Sequence, residues 1–138
     1  MVVFDPNVRP SIEGDVSLYR SAVEKWISVS DAVKLSEDDL SWLYRESELV
    51  VVNRWLESGV SLVVVTLGAA GLRAYGEGFV LSVPGALVDL VDTVGAGDTI
   101  GAVLVEGVLK NGLSGLLDVN VLRSVLERAV TAAGITCS

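Results

Sequence analysis

The 138-residue sequence has no histidine, one cysteine, three prolines and only three lysines. Each shortage closes off a kind of chemistry. Without histidine there is no imidazole to serve as general base or metal ligand. A lone thiol, Cys137, cannot form an internal disulfide. No apolar run reaches the roughly 20 residues that span a bilayer, because Asp98, Glu106 and Lys110 interrupt the longest candidate. Met1 leads directly into "VVFDP", without a basic stretch and a long apolar core, so no secretory leader is expected and the cytoplasm is the expected location. The ten Lys and Arg residues are scattered and outnumbered by eighteen carboxylates, for a net charge of −8. A nonspecific nucleic-acid binder needs clustered cations to displace counterions from phosphates, so neither nucleic acid nor membrane is an expected partner. Catalysis, if present, is left to carboxylates, backbone dipoles and a hard, oxygen-liganded cation.

Apolar residues, by contrast, are abundant. A hydrophobic content of 51% and a mean hydropathy of +0.56 suit a largely parallel sheet covered on both faces. Eleven of the eighteen carboxylates precede residue 61, which reads as a solvated outer face on the first helices. "MVVFDP" reads as a short buried strand stopped by Pro6. "DVSLYRSAVEKWI" sets Leu18, Ala22 or Val23, and Trp26 at helical spacing. "DAVKLS" is a second strand, and "SEDDL" opens like a capping box, with Asp39 three residues after Ser36. "SELVVVNRWLESG" predicts a helix ending at Gly59, and "SLVVVTLG" a strand. "LRAYGEGFVLSVPG" predicts a hairpin turning at Gly76-Glu77-Gly78. A strand, a glycine turn and then "DTIGAVLVEGVLKNG", a nearly all-apolar helix closed by Asn111-Gly112 and expected to be buried, come next. "NVLRSVLERAVTAAG" is a final amphipathic helix, with "ITCS" expected as a strand. The alternation defines an α/β fold.

The stretch "DTVGAGDTIGA" places Asp92 and Asp98 on either side of a glycine turn. A dinucleotide fingerprint needs a third glycine at position 100, which is Ile100. A Walker-type loop needs a lysine after glycine, and none of Lys25, Lys34 and Lys110 follows one. An anion hole at a helix start fits better. Backbone N–H groups of Gly95, Ala96 and Gly97 would face an anion at the positive end of the helix, with Asp98 beside it. A carboxylate there can take a proton from an attacking hydroxyl while the amides hold developing charge. The plain alternative is that Asp98 caps the helix and the glycines make a tight turn.

"DTVGAGD" resembles the D-T-x-G-A-G-D signature of the PfkB, or ribokinase-like, carbohydrate kinases. "VVFDPNVRP" resembles the D-P-N-x-R strand end of the fructokinase and 2-keto-3-deoxygluconate kinase branches. "VKLSEDDL" is similar to the family's N-x-x-E segment, "VVVTLGAAGLRAY" to its T-x-G-x-x-G turn, and "AVTAAGITCS" to its C-terminal element. The resemblance implies a ribokinase-like three-layer α/β sandwich, with a mostly parallel sheet and helices on both faces. It implies Asp98 as catalytic base and Gly95, Ala96 and Gly97 as anion hole. It also implies Thr66, Gly68 and Gly71 at the ATP phosphates, with Asp92, the Val94 carbonyl and Thr136 around an activating K⁺. Asp39 would be associated with Mg²⁺. Ser36 and Asp39 stand where Asn and Glu are usual, and the shorter carboxylate would act through water. A plain capping box remains the alternative for "SEDDL". Asn7 and Arg9 are candidates for contact with a sugar or the transferred phosphate, or else they form a structural turn.

The family's lid, its first Gly-Gly signature and most of its sugar pocket have no counterpart in this sequence. Residues 1–138 are therefore expected to be the C-terminal, nucleotide-binding and phosphoryl-transfer part of such a domain. It would act on ATP and a sugar or sugar acid, and associate as a homo-oligomer or with an N-terminal half. The alternative function is a non-catalytic nucleotide-binding or scaffold remnant.

Overall fold

The computed structural model describes residues 1–12, 14–88 and 92–138. The strands are β1 (Val3–Phe4), β2 (Ala32–Ser36), β3 (Leu62–Thr66), β4 (Gly71–Gly76) and β5 (Phe79–Pro84). The helices are α1 (Val16–Ile27), α2 (Glu37–Leu43), α3 (Glu48–Glu57), α4 (Ala96–Leu116) and α5 (Val119–Cys137), with a 3₁₀ turn at Gly68–Ala70. The strands hydrogen-bond in the order β1-β2-β3-β4-β5. Two compact units are distinguishable. One comprises Met1–Val65 and Tyr75–Phe79, the other Thr66–Ala74 and Val80–Ser138.

In the first unit, β1 and β2 are parallel, with Val3 opposite Ala32 and Phe4 opposite Val33. The Asp31 carbonyl accepts from Ser61 N at 2.8 Å. The starts of β2 and β3 therefore lie side by side and the two run the same way. Their carboxyl ends share one edge, where open α/β sheets bind ligands. The β4–β5 hairpin turns at Glu77-Gly78, and a connection that short forces antiparallel pairing, so the sheet is mixed.

Helix α1 starts where Asp15 accepts from Ser17 N at 2.9 Å and Leu18 N at 3.2 Å. Its buried face shares only Val23 with the expected one. Val23 and Ile27 are buried, whereas Leu18 is 71% and Trp26 58% exposed. Trp26 instead stacks on Phe4, with ring centroids 6.2 Å apart. Tyr44, just past α2, has Arg20 and Arg54 at 5.6 and 5.5 Å from its ring centroid. Its hydroxyl donates to Glu24, which also accepts from Trp55 Nε1 at 3.4 Å. Burial, and then the Glu24 carboxylate, push the Tyr44 hydroxyl pKa up.

The second unit is built on α4 against α5. Gly107 gives the close approach: a Cβ there would lie 2.8 Å from Val125 Cγ1. Three expectations change. The α4 helix begins at Ala96, inside the glycine turn, and runs through a break at Gly112 (φ 68°, ψ 166°) to Leu116 instead of ending there. It is not buried all round: Ile100, Leu104 and Val108 are covered, but Leu109 is 78% exposed. "ITCS" is the last turn of α5, not a strand. Cys137 is buried there, so the tertiary packing of that turn overrides the local β preference of Ile135 and Thr136. The strand expected just before the glycine turn falls on residues 89–91, outside the described residues.

Candidate functional site

The glycine turn is local chemistry made rigid. Gly95 caps α4 in the left-handed region (φ 86°, ψ −8°), which a side chain would disfavour. With glycine at the cap, Asp98 is the third helical residue and not the N-cap, which removes the plain capping alternative. Its carboxylate is exposed at the positive end of the helix. Of the three amides expected in the anion hole, that of Ala96 donates to the Thr93 carbonyl at 3.3 Å. The Thr99 amide and hydroxyl both bind the Gly95 carbonyl at 2.9 Å.

Two contacts fasten this turn to the end of α5. The Thr99 and Thr136 hydroxyls are 3.1 Å apart, and Thr136 Oγ1 also donates to the Ala132 carbonyl at 3.1 Å. Asp92 N donates to the Cys137 carbonyl at 3.3 Å, while Asp92 Oδ1 accepts from Val94 N at 2.9 Å. Asp92 and Thr136 thus both lie at the carboxyl end of α5, the negative end of its dipole.

The second glycine turn follows β3. Thr66 is buried at the strand end, and Leu67 N donates to the Gly71 carbonyl at 2.8 Å. Gly68 has φ 58° and Gly71 φ 104°. A Cβ on Gly85 would lie 1.9 Å from the Ala69 carbonyl oxygen, and one on Gly134 2.9 Å from Ala86 Cβ. The 3₁₀ turn is thereby pressed onto residues 85–86, and these onto α5 at Gly134, two residues before Thr136. Thr66, Gly68 and Gly71 on one side, and Gly95, Thr99 and Thr136 on the other, are tied to the same stretch of chain. Sequence reasoning missed Gly85 and Gly134; an S-V-P-G end to a strand and a glycine inside a helix were their signals.

In the first unit, Asp39 lies in the first turn of α2. Its N–H donates to Ser36 Oγ at 3.0 Å, which is half of a capping box. Its carboxylate reaches across to the first strand's turn, Oδ2 accepting from Val8 N at 3.4 Å. Desolvation raises the Asp39 pKa, and the hydrogen bonds from Val8 and Ser36 work against that rise. Asn7 stands at φ 43°, and its N–H donates to Asp5 Oδ1 at 2.9 Å. Arg9 donates to the Val8 carbonyl at 3.1 Å, and both side chains are exposed. Sequence reasoning passed over Lys34, buried in β2, whose Nζ lies 2.7 Å from Asp5 Oδ2. A lone lysine between Val33 and Leu35 was its signal. Among the described residues no three acidic, histidine or cysteine side chains cluster as a metal centre. A Mg²⁺ ion would therefore depend on one carboxylate, water and substrate oxygens, a coordination it tolerates.

The pfkB family carbohydrate kinases match residues 1–138, so the chain belongs to that family. A fructokinase of Rhizobium leguminosarum bv. trifolii is 37% identical over 103 residues, covering 74% of this chain and 32% of that protein. A putative ribokinase II from E. coli, solved with ATP and Mg²⁺, aligns at TM-score 0.80 and 26% identity over 98% of this chain and 41% of that one. Fructokinase from Vibrio cholerae O395, a double mutant with fructose, ADP and potassium bound, aligns at TM-score 0.77 and 26% identity, covering 99% and 44%. The fold is thus ribokinase-like α/β, and the chain spans 32% to 44% of the length of these proteins. No helix among the described residues is long and apolar enough to cross a membrane.

Proposed function

We propose that this chain carries the nucleotide-binding and phosphoryl-transfer part of an ATP-dependent sugar kinase. The single observation behind this reading is Gly95 in the left-handed region at the start of α4 with Asp98 in its first turn. Asp98 takes the proton from the sugar hydroxyl as its oxygen attacks the γ-phosphorus of ATP. The new O–P bond forms as the bond to the β-phosphate oxygen breaks, and ADP leaves. Backbone amides of Gly95 and Gly97 at the start of α4 hold the charge that develops on the phosphoryl oxygens, while the Ala96 amide, engaged by the Thr93 carbonyl, shapes the turn. Thr66, Gly68 and Gly71 would lie at the ATP phosphates, with Gly68 leaving open space beside its backbone. Asp92, the Val94 carbonyl and Thr136 would hold K⁺, and Asp39 would hold Mg²⁺ through water; these ions supply positive charge near the phosphates. The relatives named fructokinase favour a ketohexose as acceptor, with Asn7 and Arg9 the candidates for touching it. A cytoplasmic location and association with further polypeptide belong to the same proposal.

Steady-state kinetics on the complete protein, with ATP and K⁺ varied, test the roles. Asp98→Asn should lower kcat by roughly 10²- to 10⁴-fold with little change in KM for ATP. Asp92→Asn should instead weaken activation by K⁺ and shift the KM for ATP. Equal and small losses would mean that the aspartates only brace the turn. ATP binding without transfer in the unmodified protein would make it a non-catalytic nucleotide binder.

A further inference from the structure

The pair Lys34–Asp5 has no part in the proposed chemistry, yet it is built with care. Lys34 is the third residue of β2, with only 6% of its side chain exposed. Burying an ammonium is costly unless a counter-charge meets it, and Asp5, one residue past β1, does so at 2.7 Å. Asp5 spends both oxygens. Oδ2 takes Lys34, and Oδ1 takes the N–H of Asn7 at 2.9 Å. That second bond closes a turn in which Asn7 sits at φ 43°, a conformation the short polar side chain of asparagine tolerates. The next residue, Val8, is buried, and its N–H is the one that reaches Asp39 Oδ2 at 3.4 Å. Tyr19 fixes the turn from the other side, its hydroxyl donating to the Pro6 carbonyl at 2.7 Å.

We infer that Lys34 is a positioning residue: by pinning Asp5 it fixes the Asp5–Val8 turn, and through the Val8 amide it sets the carboxylate of Asp39. Its two long-range contacts, Lys34 to Asp5 and Val8 to Asp39, span 29 and 31 residues and form because β1 and β2 are parallel neighbours. Asp39 also feels both charges, Asp5 working to raise its pKa and Lys34 to lower it. The consequence for Mg²⁺ rests on the reading of Asp39 given above; the relay itself does not.

Amide hydrogen exchange of Val8, followed by NMR on the 138-residue chain, reads the relay without any catalysis. Lys34→Met should speed Val8 exchange by about tenfold, the loss expected for one hydrogen bond to a charged acceptor. Amides of Val63 to Val65 in β3 should keep their protection, and Lys34→Arg should restore most of the Val8 value. If Lys34→Met does not fold, Asp5→Asn keeps the shape of the side chain while removing its charge, and should give the same acceleration. Unchanged Val8 exchange in a folded variant of either kind would overturn the relay. Mg²⁺ titration of the same samples separates the two readings. If Asp39→Asn leaves Mg²⁺ binding untouched, the metal role of Asp39 fails, while the exchange result still decides the role of Lys34.

Discussion

Gly71 has no room for a side chain. Its φ of 104° and ψ of −130° fall where other residues are strained, and a Cβ would approach the Val83 carbonyl oxygen to 2.0 Å. Gly68, three residues earlier, shares the positive φ at 58° but faces open space. The pair therefore separates conformational strain from steric exclusion. Gly71→Ala should cost about 3 kcal/mol or more in equilibrium urea unfolding, and Gly68→Ala only about 1 kcal/mol. Similar costs at both positions would show that the contact with β5 yields easily. Residues of this kind were legible in the sequence as turn glycines, because a turn is local. Asp98 was legible for the same reason. The bond from Val8 to Asp39 was not, since the two residues are 31 positions apart and nothing between them announces it. Tyr44 with its flanking guanidiniums and Glu24 was hidden in the same way, its partners coming from α1 and α3.

At the scale of elements, α4 and α5 are joined at their surface by Glu106, which pairs with Lys110 at 2.6 Å and Arg128 at 2.9 Å. The hydrogen bond from Lys110, and then the charge of Arg128, hold the Glu106 carboxyl below its ordinary value. A depressed acid contributes stability above its unfolded value and loses it as pH falls through the folded one. Glu106→Gln should therefore lower the melting temperature slightly at neutral pH. The difference should close below the ordinary glutamate value of 4.5 and shrink in high salt. Circular-dichroism melts across pH check this; a difference that persists in acid would assign the effect to packing. The strands β2 and β3, the hairpin and the starts of α1, α2 and α3 could be read from pattern, because periodicity and turn chemistry are short-range. The end of α5 could not. "ITCS" has the local character of a strand, and it becomes helix because Ala133, Gly134 and Cys137 are buried in succession along that face. In helix α1 the pattern marks Val23 correctly as core, but Leu18 and Trp26 face solvent and Ile27 fills the place expected of Trp26.

Across the whole molecule, large apolar side chains reach solvent on several elements: Leu18 and Trp26 on α1, Leu49 and Val50 on α3, Leu109 on α4 and Ile135 on α5. Single exposed apolar residues are ordinary, but so many in a chain of this size favour association. Sedimentation velocity on the 138-residue chain should show weight-average mass rising with concentration across the micromolar range. A concentration-independent 14.5 kDa species would show that these side chains are tolerated in water. The net charge of −8 opposes indiscriminate aggregation, so the association expected is limited and strengthens with salt.

The burial of Lys34 has a practical consequence for anyone handling the protein. Of its three lysines, Lys25 and Lys110 are exposed, whereas Lys34 is covered and engaged by Asp5. Among the lysines, amine-directed dyes, resins and cross-linkers therefore attach through Lys25 on α1 or Lys110 on α4. The turn beside Asp39 is left unlabelled, so protein tethered by ordinary amine chemistry keeps that part of its surface intact.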